Sequence, residues 1–256
     1  VANYQAALRS ITYSNSSENP NTAARTINFR VSDGTDESNT LSSTVNVTAI
    51  NDAPVLAGTS TLAYTENAAA SAINASIAVS DAASAALAGA TEQITGNYQS
   101  AEDVLSFVNN GTTMGNITAS FDSGTGALTL TSSGGTATTA EWQTALRTVA
   151  YRNLSDSPST AARTVTYQVN DGQGSSNLSN PVTSTINVAS VNDAPVLATP
   201  AVTLAYAENA AATPVNTAVT IADVDSITIM GATVQITGNY QPGQDLLAFT
   251  DANGIT

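Results

Sequence analysis

A stretch of 31 residues, Tyr4 to Gly34 (YQAALRSITYSNSSENPNTAARTINFRVSDG), returns 138 residues later as Trp142 to Gly172 (WQTALRTVAYRNLSDSPSTAARTVTYQVNDG). Three further segments repeat at nearly the same distance. NDAPVLA runs from Asn51 and again from Asn192, and LAYTENAAA from Leu62 matches LAYAENAAA from Leu204. ITGNYQSAEDVLSF from Ile94 matches ITGNYQPGQDLLAF from Ile236. A period of about 140 residues is too long for one turn of a solenoid and suits one whole β-domain. The Asn-Asp-Ala-Pro stretch is the natural seam, because its proline ends a strand and resists pairing. Cutting there gives the C-terminal part of one repeat (1–54), a complete repeat (55–195) and the N-terminal part of the next (196–256). Laid on the complete copy, the partial ones leave Gly115 to Thr138 without a counterpart, so the chain is expected to begin and end within domains. Its opening at Val1 fits an internal piece of something longer.

Within each copy the apolar residues alternate. Val165, Tyr167 and Val169 do so, as do Ile186 and Val188, and Ile27, Phe29 and Val31. Such period-two runs, rich in β-branched residues and bounded by Gly, Asn, Asp and Ser, are the pattern of half-buried strands. Asn116–Phe121 and Ala127–Thr131 flank Asp-Ser-Gly-Thr-Gly and predict a hairpin. A short helix is expected at Glu141–Arg147, where Thr138 and Glu141 have capping-box spacing and Trp142, Ala145 and Leu146 share one face. The expected fold is all-β: tandem β-sandwich domains with one short helix in each repeat.

Composition narrows the chemistry. Of 256 residues, 20 are acidic and 6 basic, a formal charge of −14. The basic residues are all Arg; the chain contains no Lys, His or Cys. Without His or Cys there is no zinc site of the usual kind, no Ser-His-Asp or Cys-His nucleophile and no disulfide. Without Lys there is no P-loop lysine, no Schiff base and no Lys–Asn isopeptide bond. The negative balance argues against nucleic acid, which needs clustered positive charge. No run approaches the roughly 20 apolar residues of a membrane span, so no membrane insertion is expected. With 42% hydrophobic and only 10% charged residues, the chain does not have the composition of a disordered acidic tail.

The seam and its surroundings carry a resemblance. NDAPV, preceded by a strand and followed by one that ends in Glu-Asn, resembles the cadherin-like domains of giant bacterial surface proteins. These are tandem Ig-like sandwiches in type I-secreted, repeat-rich adhesins and biofilm matrix proteins. The most specific pieces are the ALR and AART segments, the Asp-Gly turns and the two NDAPVL seams, and the likeness covers essentially the whole chain. The resemblance implies a structural extender or filament module at the cell surface, with no enzyme activity. Its partners would be neighbouring repeats of the same polypeptide. The half-repeats at the two ends fit either an arbitrary fragment of a continuous array or head-to-tail self-association into filaments, in which two chains complete one domain.

The resemblance also implies Ca²⁺ between successive domains. At the second seam it points to Glu66, Asp171, Asn192, Asp193, Asp223 and Asp225 as ligands. At the first seam it points to a poorer set, Asp33, Asn51, Asp52 and Asp81, because the counterpart of Asp225 there is Ala83. Independently of any family, Ca²⁺ takes six to eight hard oxygens from carboxylates, amides and backbone carbonyls, which these residue types supply.

Other readings stand beside these. An Asn-Asp pair before Ala-Pro also serves simply to end a strand and start a turn. Arg9 matches Arg147 and Arg25 matches Arg163, which fits either a site for a sugar or carboxylate ligand or a structural ion pair within the domain. Glu102, Asp103 and Asp122 are the nearest approach to paired catalytic acids, but Glu102 becomes Gln244 in the next copy. The alternative function is a carbohydrate-binding module, which would need Trp142 or its counterpart Tyr4 on an exposed flat face. Seven Asn-x-Ser/Thr sequons, Asn15 and Asn177 among them, follow from a composition rich in Asn, Ser and Thr.

Overall fold

The alternating runs of the complete copy become strands whose inward side chains meet in one core, whereas Ile27 and Phe29 of the preceding copy are half-buried and Val31 is exposed. A computed structural model of the chain describes residues 1–251, 254 and 255. It is mostly β with two short helices and divides into two compact units, Val1–Val191 and Asn192–Thr256.

The first unit opens with helix α1 (Ala2–Arg9) and the antiparallel pair β1 (Arg25–Phe29) and β2 (Leu41–Val45). The complete copy follows. It runs through β3 (Val55–Ala57), β4 (Thr61–Thr65), β5 (Ser71–Ala72), β6 (Ala78–Ser80), β7 (Gly89–Gly96) and β8 (Asp103–Ser106). Then come β9 (Ile117–Asp122), β10 (Ala127–Ser132), α2 (Thr139–Leu146), β11 (Ala150–Asn153), β12 (Arg163–Asn170) and β13 (Val182–Ala189). Six strands form one sheet in the order β4-β13-β12-β7-β10-β9, and three form another, β5-β11-β8. β3 pairs with β6 in a small separate ladder.

The two larger sheets share a core of Val, Ile and Leu side chains together with Tyr64, Tyr151 and Tyr167. Tyr64 and Tyr151 meet edge to face at 5.0 Å, a contact between β4 in one sheet and β11 in the other. Each large apolar side chain so buried contributes about 1.5–3 kcal/mol. In the hairpin, Gly126 takes a φ of +70°, and a side chain there would meet the Tyr98 ring at 2.9 Å. Helix α2 is placed by its cap. Thr138 Oγ1 accepts from the Glu141 amide at 3.3 Å, and the Glu141 carboxylate accepts from the Thr138 amide at 2.8 Å. The cap faces Trp142, Ala145 and Leu146 into the core, where the indole N–H donates to the Leu87 carbonyl at 3.0 Å.

β4 joins its sheet parallel to β13, an exception in an otherwise antiparallel ladder. Because β12 and β13 are antiparallel, the turn between them and the chain's departure after β13 lie at opposite ends of the domain. The parallel β4 ends at the departure end. These two facts determine where the acidic candidates fall.

The partial copies keep local features of the complete one. Arg25 lies opposite Val45 just as Arg163 lies opposite Ile186, which are equivalent positions in the repeat. In the second unit, β14 (Val196–Ala198) and β15 (Thr220–Ala222) pair as β3 and β6 do.

Candidate functional site

At the upstream end of the complete copy, the linker meets the Asp-Gly turn after β12. Gly172 has a φ of +80°, and a Cβ there would come within 2.8 Å of Ala88 Cβ, so the tight turn requires glycine. The turn presents Asp171, which is buried. Its Oδ1 accepts from the Gln173 amide at 2.8 Å, and its Oδ2 accepts from the Asn51 side-chain amide at 2.7 Å. The same Asn51 nitrogen donates to the carbonyls of Ser175 and Ser176 at 3.0 and 3.2 Å. One amide nitrogen, with two hydrogens, thus faces a carboxylate and two carbonyls. This is an oxygen-rich, donor-poor corner of the kind hard cations favour.

Asp171 therefore belongs to the first seam, not with the second-seam residues the resemblance grouped it with. Antiparallel pairing of β12 and β13 puts their connecting turn at the end where the linker comes in. Asp33, expected at the first seam, is instead engaged in its own turn. It accepts from the Thr35 and Asp36 amides, both at 2.9 Å, and these bonds, chiefly the Asp36 one, hold its carboxyl below the usual carboxylate range. Asp81 Oδ1 accepts from the amides of Ala83 and Ser84 at 2.8 and 2.7 Å, while its Oδ2 is buried with no donor. Asp52 is half-buried in the linker.

At the downstream end, Glu66 follows β4. The parallel register carries it past the end of β13, where its amide donates to the Ala189 carbonyl at 3.0 Å. Its side chain is buried; Oε1 accepts from the Val191 amide and Oε2 has no partner.

In the second unit, Asp193, Asp223 and Asp225 are brought together. The Asp193 amide donates to Asp225 Oδ2 at 3.1 Å. Asp223 Oδ1 accepts from the amides of Ser226 and Asp225 at 2.9 and 3.2 Å, and these bonds, led by Ser226, hold its carboxyl below the usual range. Asp193 Oδ2 and Asp225 Oδ1 are buried and have no donor. Asn192 donates its side-chain amide to the Asp193 carbonyl at 2.7 Å. Ala83 stands where Asp225 stands, so the first seam lacks this linker-to-loop bond. Among the described residues no three acidic side chains converge closely enough to hold a metal between them unaided.

The other candidates resolve into structure. Arg163 is fully buried, with Asp103 at 3.1 Å and Glu102 at 3.1 Å, so the guanidinium serves an ion pair within the domain. Those two carboxylates are thereby engaged. Asp122 is held below the usual carboxylate range by bonds within the hairpin turn, first the Gly124 amide and then the Thr125 hydroxyl. Trp142 is wholly buried and presents no face to a sugar, although Tyr4, its counterpart, is exposed. Sequence reasoning overlooked Glu92, which is fully buried on β7 with neither oxygen partnered. The one available signal was its replacement by Val234 in the next copy.

No family model matches the chain, and no curated protein matches it. Among solved structures it is similar to human protocadherin-24 EC1-2, with 15% identity, a TM-score of 0.29 and coverage of 66% of each chain. The chain thus spans just under two thirds of the length of that structure.

Proposed function

We propose that this chain is a structural tandem-repeat module of the cadherin-like, Ig-like kind, part of a large extracellular adhesin or matrix protein. In this reading, neighbouring sandwiches act as spacers and Ca²⁺ at the seams stiffens the joints. The observation that carries it is a set of buried carboxylate oxygens without donors: Glu66 Oε2, Asp81 Oδ2, Asp193 Oδ2 and Asp225 Oδ1. All four are on residues that the resemblance assigns to a seam. Leaving such an oxygen unpaired costs about 1–3 kcal/mol or more, and a hard cation relieves that cost by direct coordination. The net charge of −14 acts in the same direction, since self-repulsion extends the array and bound cations reduce it.

Candidate ligands are Asn51, Asp52, Asp81 and Asp171 with the Ser175 and Ser176 carbonyls at the first seam. In the second unit they are Asn192, Asp193, Asp223 and Asp225, and Glu66 is a separate candidate at the downstream end of the first. Thermal melts in Ca²⁺, in Mg²⁺ and in chelator test the reading. A higher midpoint in Ca²⁺ than in either other condition is expected, because Mg²⁺ sheds its water reluctantly and demands a tighter octahedron. Three superimposable melts would remove calcium from the proposal and leave the spacer role to be judged by the chain's dimensions in solution.

A further inference from the structure

One nitrogen atom holds the linker to the Asp-Gly turn of the complete copy. Asn51 Nδ2 stands 2.7 Å from Asp171 Oδ2, 3.0 Å from the Ser175 carbonyl and 3.2 Å from the Ser176 carbonyl. Three oxygens gathered round one point repel one another unless a positive group lies between them. The two amide hydrogens are that group, one fewer than the acceptors they serve. Ca²⁺ takes its oxygens at about 2.3–2.6 Å, so these three would close by less than about 1 Å to hold one.

The loop that carries these oxygens is fixed before the linker reaches it. It closes on itself, with the Asp171 amide donating to the Asn177 carbonyl at 3.1 Å. Within it the Gln173 amide occupies Asp171 Oδ1, which leaves Oδ2 to Asn51. Ser176 has a φ of +52°, in the left-handed region that a residue with a β-carbon disfavours. Asp171 is 6% exposed, so water serves its charge poorly and the carboxylate depends on what the linker brings.

An amide has two unlike ends, and its surroundings decide which one faces inward. With oxygens on three sides the nitrogen end faces them, since Oδ1 in the same place would add a fourth oxygen to the cluster. A cation reverses that preference, because it binds the carbonyl end and not the amino end. We propose that Asn51 is a built-in substitute for the seam cation. Its amino group caps Asp171 and the two carbonyls when the cation is absent, and the amide turns over to become a ligand through Oδ1 when the cation binds. The proposal rests on the calcium reading of this seam and adds to it how the seam is regulated.

The choice of asparagine fits both halves of this role. An arginine in its place would neutralise Asp171 and keep cations out. The neutral amide satisfies the oxygens but leaves the charge uncancelled, so the corner still attracts a cation. Asn51 and Asp171 are 120 positions apart, so the same contact docks the linker on the domain. The linker is therefore held with the cation or without it. Binding has to displace the amino group first, which sets a higher threshold than a corner lacking that donor would have.

NMR of the isotope-labelled full chain tests this at the Asn51 side-chain amide. In chelator its protons should exchange with solvent at least about tenfold more slowly than those of the exposed Asn21. Ca²⁺ should abolish that protection and shift the resonance. Asn51→Asp removes the donor and adds a carboxylate, so it should tighten calcium binding at least about tenfold by calorimetry. Trp142 fluorescence checks that the complete copy stays folded in the variant. An Asn51 amide that exchanges as fast as Asn21 in chelator overturns the proposal, and so does unchanged affinity in Asn51→Asp. Protection that persists in Ca²⁺ while the Asp193 and Asp225 amides shift makes the contact a plain strut; the proposal then falls and calcium at those residues stands. No response to Ca²⁺ at any residue removes the calcium reading and this proposal with it.

Discussion

Asp103 and Glu92 are both sealed inside the complete copy, and the fold treats them in opposite ways. Asp103 accepts from the Gln99 amide at 2.8 Å, the Asn153 amide group at 3.2 Å, Arg163 Nε at 3.1 Å and the Tyr151 hydroxyl. Glu92 lies in register with Leu128 on one side and Tyr167 on the other, and neither oxygen has a donor. Burial alone drives its carboxyl well above the usual carboxylate range. The repeat explains the contrast. Asp103, Arg163, Tyr151 and Asn153 recur as Asp245, Arg25, Tyr13 and Asn15, whereas Glu92 becomes Val234. The caged acid belongs to the shared architecture; the unpaired one is peculiar to this copy, at a position that suits an apolar side chain.

The largest expected effect comes from opening the cage. Arg163→Met leaves Asp103 buried and uncompensated, and should cost about 3–5 kcal/mol in denaturant unfolding. Trp142, the only Trp, is at the core of the complete copy and reports on that domain specifically. A loss below about 1 kcal/mol, the value of an exposed pair, would show that the cage is not structural.

Next in size is the response of the unpaired seam oxygens to calcium. At a Ca²⁺ concentration 100 times the dissociation constant, binding to the folded form adds about 2.7 kcal/mol. Ala83→Asp, which gives the first seam the carboxylate already present as Asp225 in the next copy, should tighten binding there. Isothermal titration calorimetry reads the change, and unchanged affinity would show that position 83 does not contribute a ligand.

Glu92→Val should stabilise the complete copy by about 1–3 kcal/mol at neutral pH, the cost of an unpaired buried polar group. The pH dependence has a definite sign. The folded state holds the Glu92 proton more tightly than the unfolded chain, so its contribution is full below the unfolded value of about 4.3. It is lost as pH rises from there through the folded value, with a slope of up to about 1.4 kcal/mol per pH unit. Comparing unfolding of the parent with Glu92→Gln across this window checks it; identical slopes would mean that Glu92 does not titrate differently on folding.

Thr138→Ala gives the scale of an ordinary local contact away from both acids. Removing the cap of α2 should cost about 1 kcal/mol, read by the same Trp142 signal. A cost rivalling that of Arg163→Met would mean that the helix cap, rather than the ion cage, is the chief polar determinant of the domain.

Local pattern was enough to read several parts of this protein from the chain. Alternation along Val165, Tyr167 and Val169 predicts β12, where all three are buried. The spacing of Thr138 and Glu141 predicts the cap, and the helix lies at Thr139–Leu146, beginning two residues earlier than expected and ending one earlier. The hairpin is β9 and β10, each within a residue of its expected bounds. Each rests on residues only a few positions apart, so sequence distance is a fair guide to spatial distance.

The candidate site was less legible, since a seam gathers residues far apart in sequence. Asn51 and Asp171 are 120 positions apart, and only the antiparallel return of β13 decides that they meet. Glu66 reaches the other end because β4 lies parallel to β13, a choice no local pattern encodes. Glu92 sits among residues that alternate like any strand, and its isolation depends on which neighbours the sheet supplies. By itself, then, the sequence determined the repeat, the strands and the residue types available for chemistry, because these follow from periodicity and composition. Only the tertiary structure decided which acids are caged, which are left without donors and which end of the domain each occupies, because those are properties of strand order and direction.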